Sequence, residues 1–234
     1  MAAAHRTHKW IAGVGMMLAP LFLLISAVIQ PSLKSGELEQ LVVIRGNLNS
    51  WYASQALALA ALALAVPAVL GLMHMLRERQ WAMGALGGGL ALLGIVFAAG
   101  TVALSLVQWE LMRVGLPVPI TAAVIHNLKE TAGMVIPFII LPFAFALGMA
   151  ILAVGLAVSR AANPVVALLV GLGAVWIPIS YAISSVTLLI VAAAVLLVGL
   201  ATIGLFVLRE TEMEWEHTPK VHGLRHAGPP PAGA

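Results

Sequence analysis

Five ionisable side chains, Glu110, Arg113, His126, Lys129 and Glu130, fall within 21 residues of an otherwise apolar chain. A carboxylate and an imidazole brought to one point can ligate a divalent cation or act as general base and acid. His126, Lys129 and Glu130 stand at i, i+3 and i+4, which is one face of a helix, while Val124, Ile125 and Leu128 fall on another. Thr121 is the natural cap for that helix, which the pattern places at about 122–132, and Gly133 stops it. Glu110 and Arg113 end the apolar run just before, and Glu37, Glu39 and Arg45 belong to the same side of the molecule. No HExxH or other zinc spacing is present, and one histidine with scattered glutamates is a weak signature. The preferred reading is an amphipathic segment lying in a membrane interface, its charges paired and solvated. No catalytic residue, metal ligand or cofactor is assigned; the five residues stand as a candidate outer-face polar cluster.

What must position this cluster is a set of membrane spans. Of 234 residues, 62% are hydrophobic and only 9% charged, against about 25% charged in a soluble domain. Apolar runs at about 10–30, 51–75, 81–109 and 135–158 are each long enough to cross a bilayer. The 44 uncharged residues from Val165 to Leu208 are too many for one span at roughly 1.5 Å per residue. A break at Ser184-Ser185 divides them into spans at 165–183 and 186–208. The expected fold is therefore an all-α polytopic membrane bundle of six transmembrane helices, with residues 209–234 as a disordered cytoplasmic tail.

Lysine and arginine fix an orientation. With six spans, Arg6, Lys9, Arg77, Arg79, Arg160, Arg209, Lys220 and Arg225 share one side, whereas Lys34, Arg45, Arg113 and Lys129 share the other. That bias places both termini in the cytoplasm, and a five-span count would erase it. Trp10, Trp51, Trp81 and Trp109 fall at span ends, where indole rings favour the headgroup level.

Several chemistries are excluded or disfavoured. Cysteine and aspartate are both absent, which removes disulfides, thiolate sites and aspartyl chemistry. A net charge of +3 with no basic stripe argues against nucleic acid. No Asp, Glu, Lys, Arg or His lies in the middle of a span, which speaks against a proton- or sodium-coupled transporter. Pro20, Pro67, Pro137, Pro142 and Pro178 interrupt four spans and free carbonyls such as those of Ala63 and Phe138; neighbouring groups are expected to satisfy them. His74 and His126 sit at opposite ends of their spans and cannot share a haem, and His5, His8, His217, His222 and His226 are read as solvated tail residues. Gly84-x-x-x-Gly88 permits close helix approach, either inside the bundle or at a homo-oligomer seam. Membrane lipids are the remaining partners expected.

Residues 13–28 match 171–186 at Gly13/Gly171, Gly15/Gly173, Pro20/Pro178, Ile25/Ile183, Ser26/Ser184 and Val28/Val186. A repeat of this kind would relate spans one and two to spans five and six in parallel orientation. Three further features carry a resemblance: the Glu39-Gln40-Leu41-x3-Arg45-x-Asn47 loop, the Arg77-Glu78-Arg79 end of span two, and Asn163-Pro164 before a Gly-x-Gly span. Over about residues 10–208 the chain resembles six-span bacterial integral membrane proteins of unknown function. The resemblance implies architecture and brings no activity with it; the expected location is the bacterial plasma membrane. A multi-pass protein with a non-enzymatic structural or accessory role is the expected function. A carrier of an apolar or amphipathic molecule and an outer-face enzyme using Glu110, His126 and Glu130 are the alternatives.

Overall fold

Proline, serine and asparagine positions divide the chain into its helices. The computed structural model describes residues 2–210. Six helices or helix groups are long and apolar enough to cross a membrane. They are α1 (Ala2–Ile29), α3 (Leu48–Leu76), α4 (Trp81–Arg113), the group ending in α7 (Phe143–Ser159), α8 (Pro164–Ala182) and α9 (Val186–Arg209). The chain is thus an all-helical bundle of the kind a multi-pass membrane protein requires. Two shorter helices, α2 (Glu37–Gly46) and α5 (Val118–Glu130), lie in the connections after the first and third spans. Asn163 caps α8 by accepting from the Val165 N–H at 2.9 Å. Ser184 takes a left-handed conformation (φ 54°), and the Ser185 hydroxyl then caps α9 at the Leu188 N–H.

Each span packs against the next, and α9 returns to pack against α1. The result is a ring in which neighbours in sequence are neighbours in space. At one end of the ring α1 begins and α9 ends; the other carries α2 and α5. The core fills the half nearer the termini, with Met16, Leu72, Leu76, Leu152, Leu156, Val170 and Val207 almost fully buried. Among lipid tails the hydrophobic effect does not drive helices together, so contact depends on close van der Waals fit. Small residues supply that fit between α4 and α7. A side chain at Gly148 would strike the Ala91 nitrogen and the Gly87 carbonyl, and one at Gly94 would strike the Phe145 backbone. Gly84 and Gly88 face Leu76 and Met73 of α3. Both glycines thus make close contacts inside the bundle.

The structure departs from the sequence-based expectations in four places. The connection at 31–50 is not extended chain: α2 occupies half of it, and α3 begins earlier than expected. α5 starts at Val118 with prolines in its first turn, so Thr121 lies inside the helix and donates to the Pro117 carbonyl at 3.2 Å instead of capping it. The fourth span is not one α-helix. A short helix α6 (Ala132–Val135) leads into a π-helical turn at Ile136–Ile140, and α7 begins only after Pro142. Pro142 has no N–H to offer the Phe138 carbonyl, and the wider turn closes instead through Leu141 N–H to Ile136 O at 2.9 Å. Thr101 of α4 takes up the freed carbonyl at 3.0 Å. Lastly, His8 is not in a tail but on α1. The expected disordered segment lies, apart from Arg209 and Glu210, outside the described residues.

Candidate functional site

Beyond the ends of α3 and α4, helices α2 and α5 form a thin second layer. Its apolar base comprises Leu41 and Ile44 of α2, Trp51 of α3, Met112 of α4 and Ala122 of α5. Trp51 is 3% exposed and donates through Nε1 to the Ser105 carbonyl at 3.3 Å. It therefore packs as a core residue of this layer. Trp109 stacks obliquely on Tyr52 at 4.8 Å between ring centroids, and the Arg113 guanidinium lies 5.7 Å above its ring. Trp10 and Trp81, at the opposite end, are 53% and 71% exposed. Two buried donors of the layer, Gln40 Nε2 and Trp109 Nε1, find no acceptor among the described residues.

The five candidate residues divide into two sets. Glu110 and Arg113, one turn apart, form a two-pronged pair: Nε to Oε2 at 2.7 Å and Nη2 to Oε1 at 2.6 Å. His126, Lys129 and Glu130 gather around a residue outside the original five, Glu37 of α2. His126 Nδ1 lies 3.9 Å from Glu37 Oε2, and Lys129 Nζ lies 3.5 Å from Glu37 Oε1. His126 Nε2 lies 3.2 Å from Glu130 Oε1, the i to i+4 contact expected of one helical face. Glu37 is the least exposed of this group, at 26% of its side chain. Its own backbone N–H at the start of α2 holds its carboxyl below the ordinary value, and Lys129 and His126 add to that against the opposing effect of burial. The rest of the set is open, with side-chain exposure of 48% for Lys129, 55% for His126 and 68% for Glu130.

Glu37 could be placed on the right side of the molecule from sequence, but its role depends on α2 being a helix that docks on α5. The Glu37-x-Glu39 pair at a helix start after Gly36 was the available signal. Chemically, the arrangement is a solvated ion-pair network with an imidazole between two carboxylates. Among the described residues no group of three or more His, Cys, Asp or Glu side chains is placed to hold a metal ion. A shallow cleft between α2 and α5, lined by Glu37, Glu39, Ala122 and His126, opens broadly to solvent.

A second polar set lies between α1 and α3 at the same end of the ring. Ser26 donates to the Ser54 carbonyl at 2.9 Å, its hydroxyl is 3.2 Å from that of Ser54, and Ser54 reaches Gln30 Oε1 at 3.4 Å. All three are buried, and their hydrogen-bonding needs are met helix to helix, as they must be inside a bilayer. No protein-family model, curated protein or solved structure matches the chain.

Proposed function

We propose that this chain is a structural or accessory component of the bacterial plasma membrane, without catalytic activity of its own, its termini in the cytoplasm and the α2–α5 layer on the outer face. The observation that carries the reading is how the outer charges are used. Glu37, His126, Lys129 and Glu130 pair among themselves, as do Glu110 and Arg113. No titratable side chain interrupts the middle of any span. An α2–α5 layer pinned in this way is an interfacial lid or anchor, able to present a fixed outer surface to other membrane components.

The reading is tested by isolating the full chain from native membranes in mild detergent and identifying by mass spectrometry what accompanies it. The expected result is a protein partner present in stoichiometric amount and reduced by Glu37→Gln. A stoichiometric divalent metal lost on His126→Ala would replace the reading with the outer-face enzyme. A stoichiometric small apolar molecule held inside the ring would replace it with the carrier. Reporter fusions after Ala234 test the orientation separately, and a reporter active only outside the cytoplasm would reverse it.

A further inference from the structure

Another cleft lies far from the α2–α5 layer, on the outward seam between α1 and α3 at the end where α1 begins and α9 ends. It is a groove of about 400 Å³ lined by His8, Ile11 and Ala12 of α1 and by Pro67, Leu70, Gly71, His74 and Arg77 of α3. The spacing makes it continuous: positions 8, 11 and 12 share one helical face, as do 67, 70, 71 and 74. Ile11 and Leu70, 51% and 50% exposed, form the two ridges. The floor is low because Ala12 and Gly71 meet between them; a side chain at Gly71 would collide with Met16 and Ala12.

We propose that this groove is a binding site for one anionic phospholipid, with the phosphate at Arg77 and His8 and an acyl chain along Ile11, Leu70 and Pro67. The depth matches. From Arg77 to Pro67 is ten residues, roughly 15 Å of helix and about half of a hydrocarbon core of roughly 30 Å. The groove therefore spans one leaflet. Its polar rim lies at the level of the exposed Trp10, which marks the headgroup region.

The rim also selects charge. Arg77 Nη1 lies 3.4 Å from His74 Nδ1, which holds the guanidinium beside the groove. Among the described residues Glu78 pairs with it at 3.8 Å from Nη2, and that pair is about 40% exposed, so it is weak and exchangeable. Two other cations at this end point elsewhere: Lys9 donates to the Glu210 carbonyl and Arg79 to the Ser159 carbonyl at 2.9 Å. Arg77 is left to meet a phosphate, which its planar fork suits. A zwitterionic headgroup would bring its ammonium against the same cationic rim.

The test is native mass spectrometry of the full chain released from nanodiscs containing equal phosphatidylglycerol and phosphatidylcholine of matched acyl chains. One phosphatidylglycerol is expected to remain bound in clear preference to phosphatidylcholine. Arg77→Gln should cut that preference roughly fivefold, the effect of one basic residue at a membrane surface. Leu70→Trp, which fills the groove without touching the rim, should lower retention of both lipids. Lys34→Gln, a charge removed at the opposite end, should change neither. Equal retention of both lipids by the wild type would overturn the proposal. So would a preference that survives both Arg77→Gln and Leu70→Trp, since the lipid would then be adventitious or bound elsewhere.

Discussion

At the residue scale the decisive side chain is Glu37. It joins α2 to α5 through His126 and Lys129, and a carboxyl held below its ordinary value contributes stability only while it is ionised. The sign follows from linkage. The contribution is fully present above the ordinary value of 4.5 and is lost as pH falls through the lower folded value. The protection of α2 amides, taken as exchange relative to the intrinsic rate at each pH, should therefore fall as pH drops below about 5, and in Glu37→Gln this fall should be much smaller. At neutral pH the same variant should speed exchange in α2 and α5 by only a few-fold, because a pair this open contributes at most about 1 kcal/mol. If α2 exchange in Glu37→Gln keeps the full acid dependence of the wild type, Glu37 is not the group that ties the layer down. The residues on α5 could be read from sequence because 126, 129 and 130 obey a helical period. Their partner could not, because nothing local states which face of residues 31–50 meets which face of 118–130. His8 was missed for a different reason: a polar start to a chain looks like a tail until the helix is seen to continue through it.

At the element scale the seams between spans are governed by steric fit more than by hydrogen bonds. The Ser26–Ser54 contact joins α1 to α3, and interhelical hydrogen bonds of this type contribute about 0.6 kcal/mol on average. The α4–α7 seam is less forgiving. Gly148→Ala would set a methyl against backbone atoms of Ala91 and Gly87, neither of which can rotate away, so the helices must separate. The expected cost is about 1–3 kcal/mol, the range for overpacking. Gly89→Ala, on α4 with nothing within 4 Å of the added carbon, should be neutral or slightly stabilising. Thermal melts in detergent should therefore rank Ser26→Ala mild, Gly148→Ala severe and Gly89→Ala silent. Equal loss at Gly148 and Gly89 would mean that propensity, not packing, sets the penalty. The six spans themselves were legible because apolar length is local. The π-helical turn was not: two prolines announce an interruption, but whether the chain kinks, unwinds or widens depends on Thr101 of another helix donating to the freed Phe138 carbonyl. The proposed repeat gains and loses at this scale. Gly13 and Gly171 each meet the preceding helix of the ring, and Gly15 and Gly173 each meet the following one. Ser26, however, is buried in the last turn of α1, whereas Ser184 makes a left-handed turn.

At the scale of the whole molecule, the distribution of Lys and Arg argues for an even number of spans, but it says nothing about which spans touch. Closure of α9 onto α1 is a non-local fact. It rests on Gly204, against Gly13 and Met16, and on Leu208, whose Cγ lies 2.8 Å from where a side chain at Gly13 would begin. The absence of cysteine makes this contact directly testable, because an introduced pair has no native thiol to compete with it. Gly13→Cys with Leu208→Cys removes the leucine that would obstruct a new side chain and sets two β-carbons within reach of a disulfide, which needs them about 3.5–4.5 Å apart. Mild oxidation in membranes should convert this double variant to a faster-migrating monomer on denaturing gels. Gly13→Cys with Ile183→Cys, whose second site lies at the opposite end of the bundle, should stay reduced. An oxidised dimer in place of the internal crosslink would show that the first and last spans meet between molecules and not within one. No crosslink in the first pair, with the second unchanged, would open the ring and release α1, together with its groove against α3, from the position the closed bundle gives it.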